Sequence, residues 1–204
     1  MSVVILNLKI ANVGSIANMI KRIGGNAIVS SDKKDIANAT KLIFPGVGSF
    51  DTAMNEIQKS GLQDLLNEKV LHEKTPILGI CLGMHVFMEK SEEGQLPGLG
   101  WVKGEVKRFK PTDPSIKIPH MGWNTFTIQK PHYLLQNLPE EFRFYFVHCY
   151  YVACDEREDQ LATTVYDHPF VSAIQKENIM AVQFHPEKSH RFGKLLMKNF
   201  VELS

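Results

Sequence analysis

The sequence predicts an α/β protein: a mostly parallel sheet flanked by helices, with antiparallel strands added in the second half. Three observations carry this. In the first 90 residues short apolar runs alternate with amphipathic stretches, the rhythm of strand–helix–strand units. Beyond Trp101 that rhythm gives way to extended segments joined by short turns, as antiparallel additions need. Ser189–Leu203 then returns to a helical pattern.

Val3–Asn7 is the first strand, a run rich in apolar residues. Ser15–Ile23 follows as a helix, because Ile16, Met19, Ile20 and Ile23 recur at spacings of three and four and so share one face. Gly24-Gly25 ends it. Ala27–Ser30 and Leu42–Phe44 are the next strands, the latter running into Pro45-Gly46-Val47-Gly48. Phe50–Glu68 is helical in pattern with a break near Gly61, Pro76–Ile80 is a strand, and Leu82–Glu89 has a helix-forming composition. Trp101–Phe109, Ile116–Pro119, Asn124–Ile128, Phe142–Val147, Leu161–Tyr166, Val171–Lys176 and Ile179–Phe184 read as extended. The closing helix puts Phe192, Leu195, Leu196, Phe200 and Leu203 on one side, with Ser189 as its N-cap.

Composition bounds the function. The chain has 204 residues, 44% hydrophobic and 22% charged, enough for one domain, 1–204, with a buried core. A formal charge of +1 gives no field to gather nucleic acid. No apolar run approaches the roughly 20 residues that span a bilayer, and the N-terminal segment lacks the basic flank and cleavage site of a signal peptide. Three cysteines, Cys81, Cys149 and Cys154, are an odd count without metal-ligand spacing. They point to a reducing cytoplasm, no metal site, and a thiol free for chemistry.

Cys81 is that thiol. A buried strand runs straight into it and a helix starts straight after, with Gly79 and Gly83 two residues away on each side. A nucleophile on a tight strand-to-helix turn needs small neighbours at those positions, the cysteine form of the G-x-S-x-G elbow. The helix N-terminus favours a thiolate there, and the Leu82 N–H is left to donate to an oxyanion. A nucleophile needs a base. Among eight histidines, His185 stands where the strand Ile179–Phe184 must turn, followed by Pro186 and Glu187. A carboxylate two residues on, across a rigid proline, can fold back to orient the ring. Glycines on each side of Val47 allow its N–H to turn inward as a second oxyanion donor; a phosphate loop would need the Lys-Ser/Thr ending that is missing here.

Gly79-Ile80-Cys81-Leu82-Gly83 and His185-Pro186-Glu187 resemble the triad segments of the class I glutamine amidotransferases. Pro119-His120-Met121-Gly122-Trp123-Asn124, Tyr145–Tyr151 and Gln183–Ser189 resemble, within that class, the glutaminase subunits of imidazole glycerol phosphate synthase. The resemblance covers essentially the whole chain. It implies a flavodoxin-like sheet and a cofactor-free enzyme in which Cys81 attacks the glutamine side-chain amide, His185 is base and then acid, and Glu187 orients it. It implies Val47 and Leu82 as oxyanion donors, with the Val47 loop badly set until the partner holds its substrate. Gly48, His85, Cys149 and Tyr150 would bind glutamine. Asn12, Trp123 and Lys188 would face a (β/α)8-barrel cyclase in a heterodimer, to which the ammonia passes. With no residues left over for an acceptor domain, the acceptor must belong to that second chain. The chain departs from the family at three places: His85 replaces a common Gln, Asn7–Asn12 keeps only the last residue of a usual Asp-Tyr-Gly-x-Gly-Asn, and Cys149 replaces Ser or Thr. The acceptor could therefore belong to histidine biosynthesis or, in a paralogous pair, to amidation of a surface-polysaccharide sugar. A catalytically silent regulatory subunit and a cysteine peptidase are the readings from other classes.

Overall fold

The computed structural model describes residues 2–203; Met1 and Ser204, the ends of the expected 1–204 domain, lie outside the described residues. The first part of the chain runs β1 (Val3–Leu6), α1 (Val13–Arg22), β2 (Ala27–Ser30), α2 (Lys33–Ala37), β3 (Lys41–Gly46), α3 (Phe50–Ser60), α4 (Gln63–Asn67), β4 (Ile77–Cys81) and α5 (Leu82–Val86). The second part adds β5 (Lys90–Ser91), β6 (Gly104–Arg108), β7 (His120–Asn124), β8 (Thr127–Ile128), β9 (Phe144–His148), β10 (Tyr150–Cys154), β11 (Gln160–Val165), β12 (Pro169–Lys176), β13 (Ile179–Val182) and α6 (His190–Leu203).

The main sheet has the order β2-β1-β3-β4-β13-β12-β10-β6-β5. Its first five strands are parallel, in the 2-1-3-4-5 order of flavodoxin-like sheets. β12 and β10 then extend it antiparallel, and β11 pairs with β12. The expected class is therefore found, with its antiparallel part where the sequence changes rhythm. Parallel strands are covered on both faces. In β1, Val3 and Ile5 pack with Ile16 and Ile20 of α1 and Phe200 of α6, while Val4 and Leu6 pack with Phe50 and Ile57 of α3. β7 and β9 form a separate antiparallel pair.

Several boundaries depart from the sequence reading, each for a local reason. The helix expected over Leu82–Glu89 stops at Val86 because an incoming loop takes its carbonyls: Leu99 N–H donates to Val86 O and Trp101 N–H to Phe87 O. That loop also removes Trp101 from the strand expected over Trp101–Phe109. Ile116–Pro119 is not a strand. Asp113 starts a turn there, accepting the Ser115 N–H on its side chain at 2.8 Å, and the Ile118–Pro119 peptide is cis. Asn124–Ile128 is split between β7 and β8. The short α2, capped by Asp32, is too brief to show a period, and β10 lies outside the extended segments that the sequence predicts. Ser189 does not spend its hydroxyl on capping α6: Oγ donates to His185 O at 2.6 Å and accepts the Tyr145 N–H at 3.0 Å. Leu203, expected on the apolar side of α6, is 50% exposed.

A buried lysine closes the far end of α6. Lys41 at the start of β3 donates Nζ to the carbonyls of Phe200, at 3.2 Å, and Val201, at 2.5 Å. The last carbonyls of a helix have no intrahelical partner and carry the negative end of its dipole, so a cation there stabilises. Lys41→Met keeps the stem and removes the donor. We expect a loss of about 1–2 kcal/mol, read as a lower urea midpoint at unchanged slope; an unchanged midpoint would contradict this role.

Candidate active site

Parallel pairing brings the carboxyl ends of β3, β4 and β13 side by side, where open α/β sheets bind ligands. Each end delivers one expected element. β4 ends in Cys81, whose backbone lies at φ 54°, a conformation L-residues rarely adopt and that costs roughly 1–3 kcal/mol. The flanking glycines hold it. A Cβ on Gly83 would run into the Phe44 carbonyl oxygen of β3, and one on Gly79 would come within 2.7 Å of the Phe87 ring and 2.9 Å of Ala181 on β13. So α5 lies directly against β3, and the elbow can turn only there. The Cys81 side chain is 8% exposed.

β13 leads to His185, whose N–H donates to Tyr145 O at 2.8 Å on β9 and whose carbonyl accepts the Ser189 hydroxyl. Phe184 beneath it is fully buried against Phe144, ring centroids 4.2 Å apart. Pro186 starts a single 3-10 turn that folds Glu187 back, and its Oε1 lies 2.7 Å from His185 Nδ1. His185 Nε2 is buried without a conventional hydrogen-bond partner in the fold. Burial alone would lower the His185 pKa, but the Cys81 sulfur and the Glu187 carboxylate outweigh it and raise the pKa to about 10.

A cavity of about 340 Å³ opens over Cys81, within the size range of small-molecule sites. Of the expected residues it is lined by Val47, Gly48, Leu82, His85, Cys149, Tyr150, His185 and Lys188. Glu187 lies behind His185.

The family model described as glutamine amidotransferase class-I matches residues 4–203. The chain belongs to the class I glutamine amidotransferases. It is 52% identical over 200 residues to a protein of Methanococcus maripaludis named imidazole glycerol phosphate synthase subunit HisH 2, covering 98% of each chain. A Pseudomonas aeruginosa protein of the same name is 45% identical over 201 residues, covering 98% of this chain and 99% of that one. Among solved structures, PurLQS from Thermotoga maritima matches with a TM-score of 0.73 at 15% identity, covering 98% and 96% of the two chains. A structure titled glutamine amidotransferase matches with 0.71 at 20%, covering 96% and 98%. At such identities the likeness concerns the fold.

In this amidotransferase one expected role meets a different geometry. The Val47 N–H does not face the cavity: it donates to Ile10 O at 2.6 Å, in the loop after β1, so it is not a free oxyanion donor here. Leu82 keeps its place as the first residue of α5, where no intrahelical acceptor exists. Asn12 lies in that same loop after β1, outside the cavity, and caps α1 by accepting the Ser15 N–H at 3.3 Å. Trp123 also lies outside the cavity, 42% exposed, stacked on His190 and edge-on to Tyr145, over whose ring Lys188 places its ammonium.

Three residues on or near the cavity wall went unread in the sequence. Glu93 is the one carboxylate among the described lining residues; it accepts the Phe50 N–H at 3.0 Å, and burial raises its pKa. Nothing in Lys90-Ser91-Glu92-Glu93 marked it among charged neighbours. His148 begins a buried chain: its Nδ1 is 2.7 Å from Tyr150 O, and its Nε2 is 2.9 Å from Nδ1 of His120, a ring stacked between Phe146 and Tyr166. Burial holds His148 well below its usual pKa and His120 at about 4. Gln183, just past β13, is fully buried. Cys154 is kept inert by burial and by Asp159 and Asp155 nearby, which push its pKa up to about 12.

The raised pKa of His185 sets a sign. Below about pH 6.5 the ring is charged in both folded and unfolded chains, so its stabilising contribution is complete. That contribution is lost as pH rises through about 10, the folded value. Nuclear magnetic resonance of ring-labelled histidine should find His185 still protonated at pH 8 and show it titrating lower in Glu187→Gln. A neutral His185 ring at pH 8 in the unmodified chain would refute the pairing.

Proposed function

We propose that the chain is the glutaminase subunit of imidazole glycerol phosphate synthase, hydrolysing glutamine to glutamate and ammonia with Cys81, His185 and Glu187. The observation that carries this is the meeting, in one cavity, of a cysteine on a strained elbow and a histidine paired to a carboxylate at the end of the next parallel strand. The step runs as follows. With the proton held on His185, the Cys81 sulfur attacks the side-chain carbonyl of glutamine, and the oxygen takes the negative charge. The Leu82 N–H stabilises it. His185 gives its proton to the departing nitrogen, which leaves as ammonia, and a thioester to Cys81 remains. The neutral ring then takes a proton from water, whose oxygen attacks the thioester and releases glutamate. Glu187 keeps Nδ1 protonated throughout, so Nε2 faces the reaction. Glu93 offers a carboxylate for the substrate ammonium, and Gly48, His85, Cys149 and Tyr150 complete the pocket.

Val47 supplies the second oxyanion donor only after its peptide turns and gives up Ile10 O. Gly48, at φ 102°, gives that turn its freedom. We assign that turn to the partner, a (β/α)8-barrel cyclase that contacts the Asn12 loop, Trp123 and Lys188 in a heterodimer and receives the ammonia. With it, the lyase reaction yields imidazole glycerol phosphate and an aminoimidazole carboxamide ribotide for histidine biosynthesis. The exposed face of β7 suits such a contact: Met121 and Trp123 are 60% and 42% exposed. The histidine-pathway acceptor is favoured over a polysaccharide sugar because the relatives named above are imidazole glycerol phosphate synthase subunits. We place this single domain, 1–204, in the cytoplasm, where its three unpaired cysteines stay reduced.

Cys81→Ala should abolish glutamine hydrolysis, a loss of at least 10³-fold, while the variant still co-elutes with the cyclase. Assaying glutamate release with cyclase and its nucleotide acceptor present checks this; retained turnover would sink the mechanism. Turnover with the sugar acceptor in place of the nucleotide would move the reading to the polysaccharide alternative.

A further inference from the structure

Cys81 has a second buried neighbour besides His185. Nε2 of Gln183 lies 3.8 Å from Sγ of Cys81, and Oε1 of the same carboxamide lies 2.8 Å from Nε2 of His85. His85 and Gln183 are 4% and 0% exposed. His85 lies on α5, four residues after Cys81, and both line the same cavity. Gln183 is anchored separately, its backbone N–H donating to Ser172 O at 2.9 Å. We propose that His85 and Gln183 are a positioning pair for the nucleophile: His85 fixes the Gln183 carboxamide so that its N–H group, not its oxygen, faces the Cys81 sulfur.

The direction of the relay follows from the placement of the carboxamide, with Oε1 toward His85 and Nε2 toward the sulfur. Burial lowers the His85 pKa to about 4, so the ring is neutral near pH 7 and carries one N–H. Facing a carbonyl oxygen, Nε2 must hold that hydrogen. Turned over, the carboxamide would need the other His85 tautomer, with Nε2 accepting, and would aim an oxygen lone pair at the sulfur. A thiolate accepts from an N–H and is repelled by a carbonyl oxygen, so the orientation that His85 enforces stabilises the attacking form. The pair works through geometry, without charge of its own. The charged and titratable groups around the same cavity, besides Cys81 and His85, are His185 after β13 with Glu187 behind it, His148 on β9, Cys149, Tyr150 on β10, Glu93 after β5, and Lys188. None of these hydrogen-bonds to the Gln183 carboxamide in the fold. This inference rests on reading Cys81 as the glutaminase nucleophile, and it adds Gln183 and a positioning role for His85 to that site.

The test is iodoacetamide labelling of Cys81 in the full chain, followed by mass spectrometry of the labelled peptide, in His85→Leu, Gln183→Met and His85→Gln. At pH 7, His85→Leu and Gln183→Met should label roughly tenfold more slowly than the unmodified chain, the effect of one hydrogen bond to a charged group. At pH 10, above the range in which cysteine side chains ordinarily ionise, they should match it. His85→Gln keeps a donor to the Gln183 oxygen and should recover most of the pH 7 rate. The two slow variants test the pair independently, so a folding failure of one leaves the other decisive. Unmodified rates at pH 7 in both would overturn the proposal, as would an equal loss at pH 10, which would mark a general distortion. Labelling needs neither glutamine nor cyclase. If the complex failed to hydrolyse glutamine while labelling responded as stated, the glutaminase reading would fall and the positioning pair would stand.

Discussion

The constraint on which this structure depends is the direct contact between the elbow helix and strand β3. Cys81 can hold a positive φ only because the chain on both sides is stripped of side chains: Gly83 touches the Phe44 carbonyl, and Gly79 lies under Phe87 and Ala181. Gly46 belongs to the same contact, since a Cβ there would come within 2.8 Å of the Leu82 Cβ. The strain at one residue is offset by pairing on both sides, β4 lying in parallel register between β3 and β13. Remove the close contact and the sulfur no longer projects from the strand end, and the Leu82 N–H no longer sits beside it.

Parallel pairing does the next part of the work. It puts the ends of β3, β4 and β13 on one edge, so residues far apart in sequence arrive together without a long loop. The antiparallel extension then walls the cavity with Tyr150, and the separate β7–β9 pair adds His148. Within that small volume three histidines are driven in different directions by their partners. His85 and His148 are desolvated and held neutral, and they act as fixed donors and acceptors. His185 is equally buried, yet a sulfur and a carboxylate beside it keep it charged. Burial lowers all three; only paired opposite charge reverses the outcome.

That contrast explains what the sequence could and could not reveal. Cys81 with its two glycines and His185-Pro186-Glu187 were legible because each is local: the geometry is set by residues within two positions. The parallel strands were legible because they are apolar on both faces. Part of the wall of the site was not. Glu93 sits in a run of charges and reaches the cavity only because the chain after β5 folds back to cap α3. Gln183 becomes a partner of His85 only when β13 packs beside β4, a contact nearly a hundred positions away in sequence. The end of α5 was misread for the same kind of reason, because its carbonyls are taken by the loop around Leu99 and Trp101.

Val47 shows the one place where the site is not assembled as its chemistry asks. Its N–H is satisfied by Ile10 O, and the exchange needed to use it is close to balanced. Breaking that backbone bond costs about 0.5–1.5 kcal/mol net, and a bond to a developing oxyanion, being charge-assisted, returns more. The return comes only once charge develops, so without help the resting peptide stays with Ile10. A contact that biases either loop by 1–3 kcal/mol therefore changes the competent population 5- to 150-fold. Both loops are open to such a contact. Asn12 and the Val47 side chain are exposed, and the hydrogen bond between Val47 and Ile10 ties one loop to the other. Under the proposed reading, the triad is built into the fold of this chain, while the oxyanion site is left for the cyclase to complete, which keeps glutamine from being spent where no acceptor waits.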